Sequence, residues 1–206
     1  MADLIKLSRT TVEKFISCPR CCVLEKKYQI KPPSLPFTLN IAVDNLCKNE
    51  FDYYRKLQEP HPLFIHNNIN AIPFMHKNFD DWRSNFKGIR YKSSEHGYDF
   101  GGAIDDVWQK KNGELIIVDV KATAKNNFDW IETFEKYEYP KAYKRQLEMY
   151  QWLFKKNGFN VAKEAYLLYF NGKKNEKFFN NQIKFDVHLI KVDCSTSWVE
   201  TKIIET

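Results

Sequence analysis

Apolar residues recur along this chain with two different periods. Over Thr38–Leu57, "TLNIAVDNLCKNEFDYYRKL", and over about 141–156 they return every three or four positions, as on a helix with one buried face. In "GIRYKSSEHGYDFGGAIDDVWQKKNGELIIVDVKAT", "AKEAYLLYF" and "IKFDVHLIKV" branched and aromatic residues crowd together between turn residues, which predicts strands. Ser8 can cap a helix carrying Leu7, Val12, Phe15 and Ile16, and Pro19 ends it. The prolines of "IKPPSLPF", 30–37, predict an extended connector, and residues 59–86 read as loop with one short helix around "NFDDWRSNF". A turn at "NGKKN" and a short closing helix from Ser195 complete the pattern. The expected fold class is α/β in the mixed α+β sense, a central mixed β-sheet flanked by helices. No repeat or linker divides the chain, so residues 1–206 are expected to form a single domain.

Composition narrows the function classes. At 43% hydrophobic and 16% aromatic residues the chain can build a core and is not a disordered segment. A formal charge of +6 favours a polyanionic partner. No run of about 18 apolar residues occurs and "MADLIKLSRT" lacks a signal-peptide core, so neither membrane insertion nor export is expected and the cytoplasm is the default location. The five cysteines are an odd number, which favours free thiols. "CPRCC" has the spacing of half a metal knuckle, but no second pair with ligand spacing accompanies it.

The chemistry concentrates in "GELIIVDVKAT". A strand alternates its faces, so Asp119 and Lys121 share one side while Ile116, Val118 and Val120 share the other. The turn "KKNG" decides which acid stands across from Asp119. A two-residue turn sets Asp106 there; a three-residue turn with Gly113 left-handed sets Asp105 there. In either case two carboxylates stand side by side and need a cation between them, which suits Mg²⁺ or Mn²⁺ with Lys121 close by. The plainer reading is a salt bridge at a sheet edge. Gln146 and Tyr150 share a helix face and can hold a substrate backbone or the lysine. Asp44, Lys48, Phe51 and Arg55 form one stripe of the long helix, read first as a solvated face with intrahelical ion pairs.

In chain order these pieces resemble the PD-(D/E)XK nuclease superfamily, and within it the RecB-type branch. The opening "LSRTTVEKFISCPRCCVLEKKY", the pair "GGAIDD" and "IIVDVKAT", and "QLEMY" as Gln-x-x-x-Tyr carry the resemblance. It implies a restriction-endonuclease-like core, metal binding by Asp105 and Asp119, a catalytic Lys121, and a supporting pair Gln146 and Tyr150. It also favours Asp105 over Asp106. The further ligand commonly placed on the early helix falls at Asp44, with Glu50 a weaker candidate. An iron-sulfur cluster is not expected, because only Cys194 lies near the C-terminus. The implied activity is Mg²⁺- or Mn²⁺-dependent hydrolysis of phosphodiester bonds in single- or double-stranded DNA in repair, recombination or defence, with exonuclease and endonuclease both left open by the sequence, alone or with a helicase or repair-complex partner. Two other readings are a non-catalytic nucleic-acid-binding module of the same fold and a phosphohydrolase acting on small nucleotides.

Overall fold

The computed structural model describes residues 4–33 and 38–206. A strand not expected from the sequence, β1 (Ile5–Ser8), leads into α1 (Arg9–Ser17), which Ser8 caps by accepting the Thr11 N–H at 3.1 Å. Pro19 ends that helix and also starts another, α2 (Pro19–Tyr28), because a proline in the first turn removes only an N–H that would be unpaired anyway. The connector 30–37 has no regular structure up to Pro33; its remainder, 34–37, lies outside the described residues.

The long helix α3 (Thr38–Leu57) forms as its period predicts. The segment expected as loop holds α4 (Pro62–His66) and β2 (Ala71–Pro73) as well as the short helix, α5 (Phe79–Arg83). Then follow β3 (Ile89–Ser93), β4 (Tyr98–Gly102), β5 (Asp106–Lys110), β6 (Leu115–Thr123), α6 (Trp130–Lys136), α7 (Tyr139–Lys156), β7 (Glu164–Gly172), β8 (Phe185–Asp193) and α8 (Val199–Glu205).

The central sheet is mixed, with strand order β2-β5-β6-β7-β8. Only β6 and β7 run parallel within it, and α6 and α7 make the crossover that parallel neighbours require. A second, three-stranded sheet, β1-β4-β3, stands apart where one sheet was expected. The chain leaves strand pairing between Gly102 and Asp106, and that bend carries it from one sheet into the other. Strand β6 is covered on both sides. Leu115 and Ile117 share a core with Leu147 and Leu153 of α7, while Ile116 and Val118 share one with Cys47 and Phe51 of α3. Glu148 on α7 accepts the Ser195 N–H at 3.0 Å and the Trp198 indole N–H at 2.8 Å, which ties the C-terminal segment down. Among the described residues no helix is long and apolar enough to cross a membrane.

Candidate active site

The turn between β5 and β6 takes its three-residue form. Gly113 has φ +84°, its N–H donates to the Lys110 carbonyl at 2.9 Å, and the Lys110 N–H donates to the Glu114 carbonyl at 2.9 Å. The ladder pairs Asp106 with Val118 through Gln109 with Leu115, and one step further brings Asp105 level with Asp119. Asp105 sits in the bend just before β5. Its Oδ2 accepts the Val120 N–H at 2.8 Å, standing in for a strand partner, while Oδ1 lies 3.4 Å from the Lys48 ammonium.

Asp119 is wholly buried. Its Oδ1 accepts from the Gln146 amide at 2.6 Å, and the Lys121 ammonium lies against Oδ2 without forming a well-aligned hydrogen bond. Burial is the largest influence on Asp119, and with the neighbouring Asp105 charge it outweighs Lys121 and pushes the pKa up to about 7. Burial also pushes Asp105 up, but Lys121, Lys48 and the Val120 N–H more than reverse this and hold it below the usual carboxylate range. For Lys121 burial works against the charge, yet Asp119 and Asp105 prevail and raise its pKa. Lys121 is therefore a cation near neutrality, with its ammonium 4.6 Å from the centre of the Tyr143 ring.

Helix α7 brings Gln146 and Tyr150 to the same place one turn apart, their polar atoms 3.4 Å from each other. The Tyr150 hydroxyl donates to the Ala103 carbonyl and so clamps the bend that delivers Asp105. Gly102 makes room for it. A Cβ at that position would lie 2.9 Å from Cε1 of Tyr150 and 3.2 Å from Cβ of Arg9. Gly102→Ala is thus expected to lower stability by about 1–3 kcal/mol, as overpacking does, and to displace Tyr150. Urea unfolding checks the first effect; unchanged stability would mean that the bend gives way freely.

The stripe on α3 keeps the expected intrahelical ion pair between half-buried Asp44 and Lys48, but its Phe51 and Arg55 face the sheet and not the solvent, contrary to the first reading. Phe51 and Arg55 are buried, and Arg55 donates to Asp106 Oδ1 at 2.6 Å. Arg83 reaches the other Asp106 oxygen at 3.2 Å and both oxygens of Asp52 at 2.9 and 2.8 Å. Its Nε donates to the Asp105 carbonyl at 3.1 Å. The two guanidinium groups lie 4.1 and 4.4 Å from the centre of the Phe79 ring. Asp106 is thus consumed by structure, which leaves its neighbour Asp105 for the site.

Of the residues singled out from the sequence, Asp105, Asp119, Lys121, Gln146 and Tyr150 come together. Asp44 is near but separate: the Lys48 ammonium bonds it at 2.6 Å and stands between it and Asp105. Glu50 turns away to His61, at 3.2 Å. Among the described residues no group of three or more His, Cys, Asp or Glu side chains is placed to hold a metal ion. Cys18 caps α2, its Sγ accepting the Cys21 N–H at 3.3 Å, and all five cysteines are free thiols. Tyr143 was not anticipated. It precedes Gln146 by three residues on α7, and only the packing of that helix over β6 brings its ring to Lys121. Arg9, whose Nε is buried without a partner, was also missed.

A model of the PD-(D/E)XK nuclease superfamily matches residues 23–197. The chain belongs to this superfamily. Two solved structures are similar to this PD-(D/E)XK protein. The protein SSO0001 is 14% identical over 100% of this chain and 75% of its own, with a TM-score of 0.47. A protein of Eubacterium rectale named "Putative exonuclease" is 15% identical over 97% of this chain and 77% of its own, with a TM-score of 0.46. No curated protein matches the chain. PD-(D/E)XK nucleases generally use divalent metals. The oxygens of this site fit such an ion in kind: Asp119 Oδ2 is buried and meets the Lys121 ammonium without a well-aligned hydrogen bond, and hard carboxylate oxygens suit a hard cation.

Proposed function

We propose that the protein is a Mg²⁺- or Mn²⁺-dependent nuclease of RecB type that hydrolyses phosphodiester bonds in DNA. The observation that carries this reading is the wholly buried Asp119 beside Asp105, held by Gln146 on one oxygen and faced by Lys121 on the other. Such a pair is costly to keep in a fold unless a cation or a reaction uses it.

In this reading Asp105 and Asp119 hold the ion, which when bound supplies charge neutralisation at the phosphate and acidifies water. Gln146 fixes the Asp119 carboxylate so that Oδ2 keeps its direction. Lys121, being charged, stabilises the negative charge that grows on the phosphate during attack. Tyr150 holds the bend at Ala103 and so keeps Asp105 in place. Asp44 acts through Lys48, anchoring the ammonium that neutralises Asp105.

The test is incubation of plasmid and single-stranded DNA with Mg²⁺ or Mn²⁺ beside EDTA. Cleavage that needs the metal is expected, and its absence with every metal would overturn the reading. The Lys48 ammonium between two of the acids favours the second reading, a non-catalytic nucleic-acid-binding module, which salt-sensitive DNA binding without cleavage would support.

Because Asp119 has its pKa near 7, an incoming cation must displace a proton below that pH. Mn²⁺ affinity is therefore expected to rise with pH up to about 7 and to level off above it. Calorimetric titration at pH 5.5, 7 and 8.5 in buffers of different ionisation enthalpy would read both the affinity and the released proton. A pH-independent affinity would remove Asp119 from the ligand set.

A further inference from the structure

We propose that three tyrosines leading out of the site, Tyr143, Tyr139 and Tyr137, form a stacking path for the bases of an unpaired nucleic-acid strand. The proposal rests on the nuclease reading above and adds the form in which substrate approaches.

The path starts at Lys121, whose ammonium lies 4.6 Å from the Tyr143 ring centre. From there the ring centres step 5.6 Å to Tyr139, edge-to-face at 64°, and 5.7 Å to Tyr137, tilted by 31°. Exposure grows outward: Tyr143 is half-buried, and Tyr139 and Tyr137 are 38% and 44% exposed. The short junction between α6 and α7 produces this order, because Tyr137 closes one helix, Tyr139 opens the next, and Tyr143 follows one turn later.

Cations accompany the rings. Lys125 donates to the Tyr139 hydroxyl at 2.6 Å and to the Thr133 hydroxyl at 3.1 Å, and its ammonium lies 5.4 and 5.5 Å from the Tyr139 and Tyr137 ring centres. Lys136 lies 5.6 Å from the Tyr137 ring centre. Beside them is a cavity of about 320 Å³ lined in part by Asn126, Asn127, Lys174 and one acid, Glu132. Aromatic faces with interspersed cations suit an unpaired strand, since bases inside a duplex keep their faces for one another. Rings tilted and 5.6–5.7 Å apart touch one another and leave no room for a base between them, so bases would lie against their outer faces, as an unstacked strand allows.

The test is fluorescence anisotropy in EDTA, with labelled oligo-dT and a blunt duplex of equal length. It compares the wild type with Tyr137→Ala/Tyr139→Ala and Tyr137→Phe/Tyr139→Phe, each checked for an unchanged circular-dichroism melt. The alanine pair is expected to weaken oligo-dT binding at least about tenfold, and the phenylalanine pair, which keeps the rings, by less than about threefold. Duplex binding should move by less than about threefold in both, because phosphate contacts carry it. Wild-type affinity in the alanine pair, equal loss in the phenylalanine pair, equal loss for the duplex, or no oligo-dT binding by the wild type would each overturn the path. Cleavage is not read in this experiment. An inert protein with ring-dependent binding keeps the path and loses the chemistry, whereas a cleaving protein indifferent to the rings keeps the chemistry and loses the path.

Discussion

Lys121→Ala is expected to reduce metal-dependent DNA cleavage by roughly 10²–10⁴-fold, the range for removing one group that stabilises charge or handles a proton in the transition state. Lys121 is expected to act through its charge, because Asp119 and Asp105 raise its pKa and leave no free base near neutrality. The fold should survive the change. Asp119 loses its counter-charge, but with a pKa near 7 it can take up a proton, and Gln146 still bonds its Oδ1. Initial rates with saturating Mn²⁺, together with a melting curve for each protein, separate lost chemistry from lost fold. A folded Lys121→Ala protein that cleaves within about threefold of the wild type would dismiss the proposed role.

The largest expected effect on stability lies elsewhere, at Arg55. Removing one partner from a buried ion pair leaves an uncompensated charge, and Arg55→Ala is expected to cost about 3–5 kcal/mol. Asp106 is only 2% exposed, and Arg83, its remaining charged partner, is shared with Asp52. Arg55 also donates to the Phe74 carbonyl at 2.9 Å and packs against Phe79, so the change opens space as well. Replacing both members, in Arg55→Met/Asp106→Leu, should recover at least half of the loss, because apolar groups of similar size need no counter-charge. Urea unfolding at pH 7 measures both proteins. A loss below about 1 kcal/mol in the single variant would show that water or Arg83 compensates Asp106 by itself.

Much of the site was legible in local patterns. Asp119 and Lys121 share a strand face because residues two apart always do, and Gln146 and Tyr150 share a helix face because residues four apart do. Ser8 as a cap and Gly113 as the left-handed turn residue were readable for the same reason: each acts on its own backbone neighbours. The turn length was not, since both hairpin forms satisfy "KKNG", and the choice between Asp105 and Asp106 came first from family resemblance. Pro19 has two roles, of which local pattern reveals one. A proline stops a preceding helix and starts a following one equally well, and the second role depends on where the chain goes next.

The stripe on α3 shows the limit most clearly. Asp44, Lys48, Phe51 and Arg55 have the periodicity of a helix face whether that face meets water or protein. Only the sheet beneath them, with buried Asp106 in need of a guanidinium and Phe51 packed on Trp108, turned that face inward. By itself the sequence determined the helices and strands with strong periods, the pairing of side chains a few residues apart, and the superfamily motifs in their order. The tertiary structure alone decided the second sheet, the place of Lys48 between two acids, the burial of Asp119, and the tyrosines beside Lys121. These depend on contacts between residues distant in the chain, and neither periodicity nor spacing encodes which faces will meet.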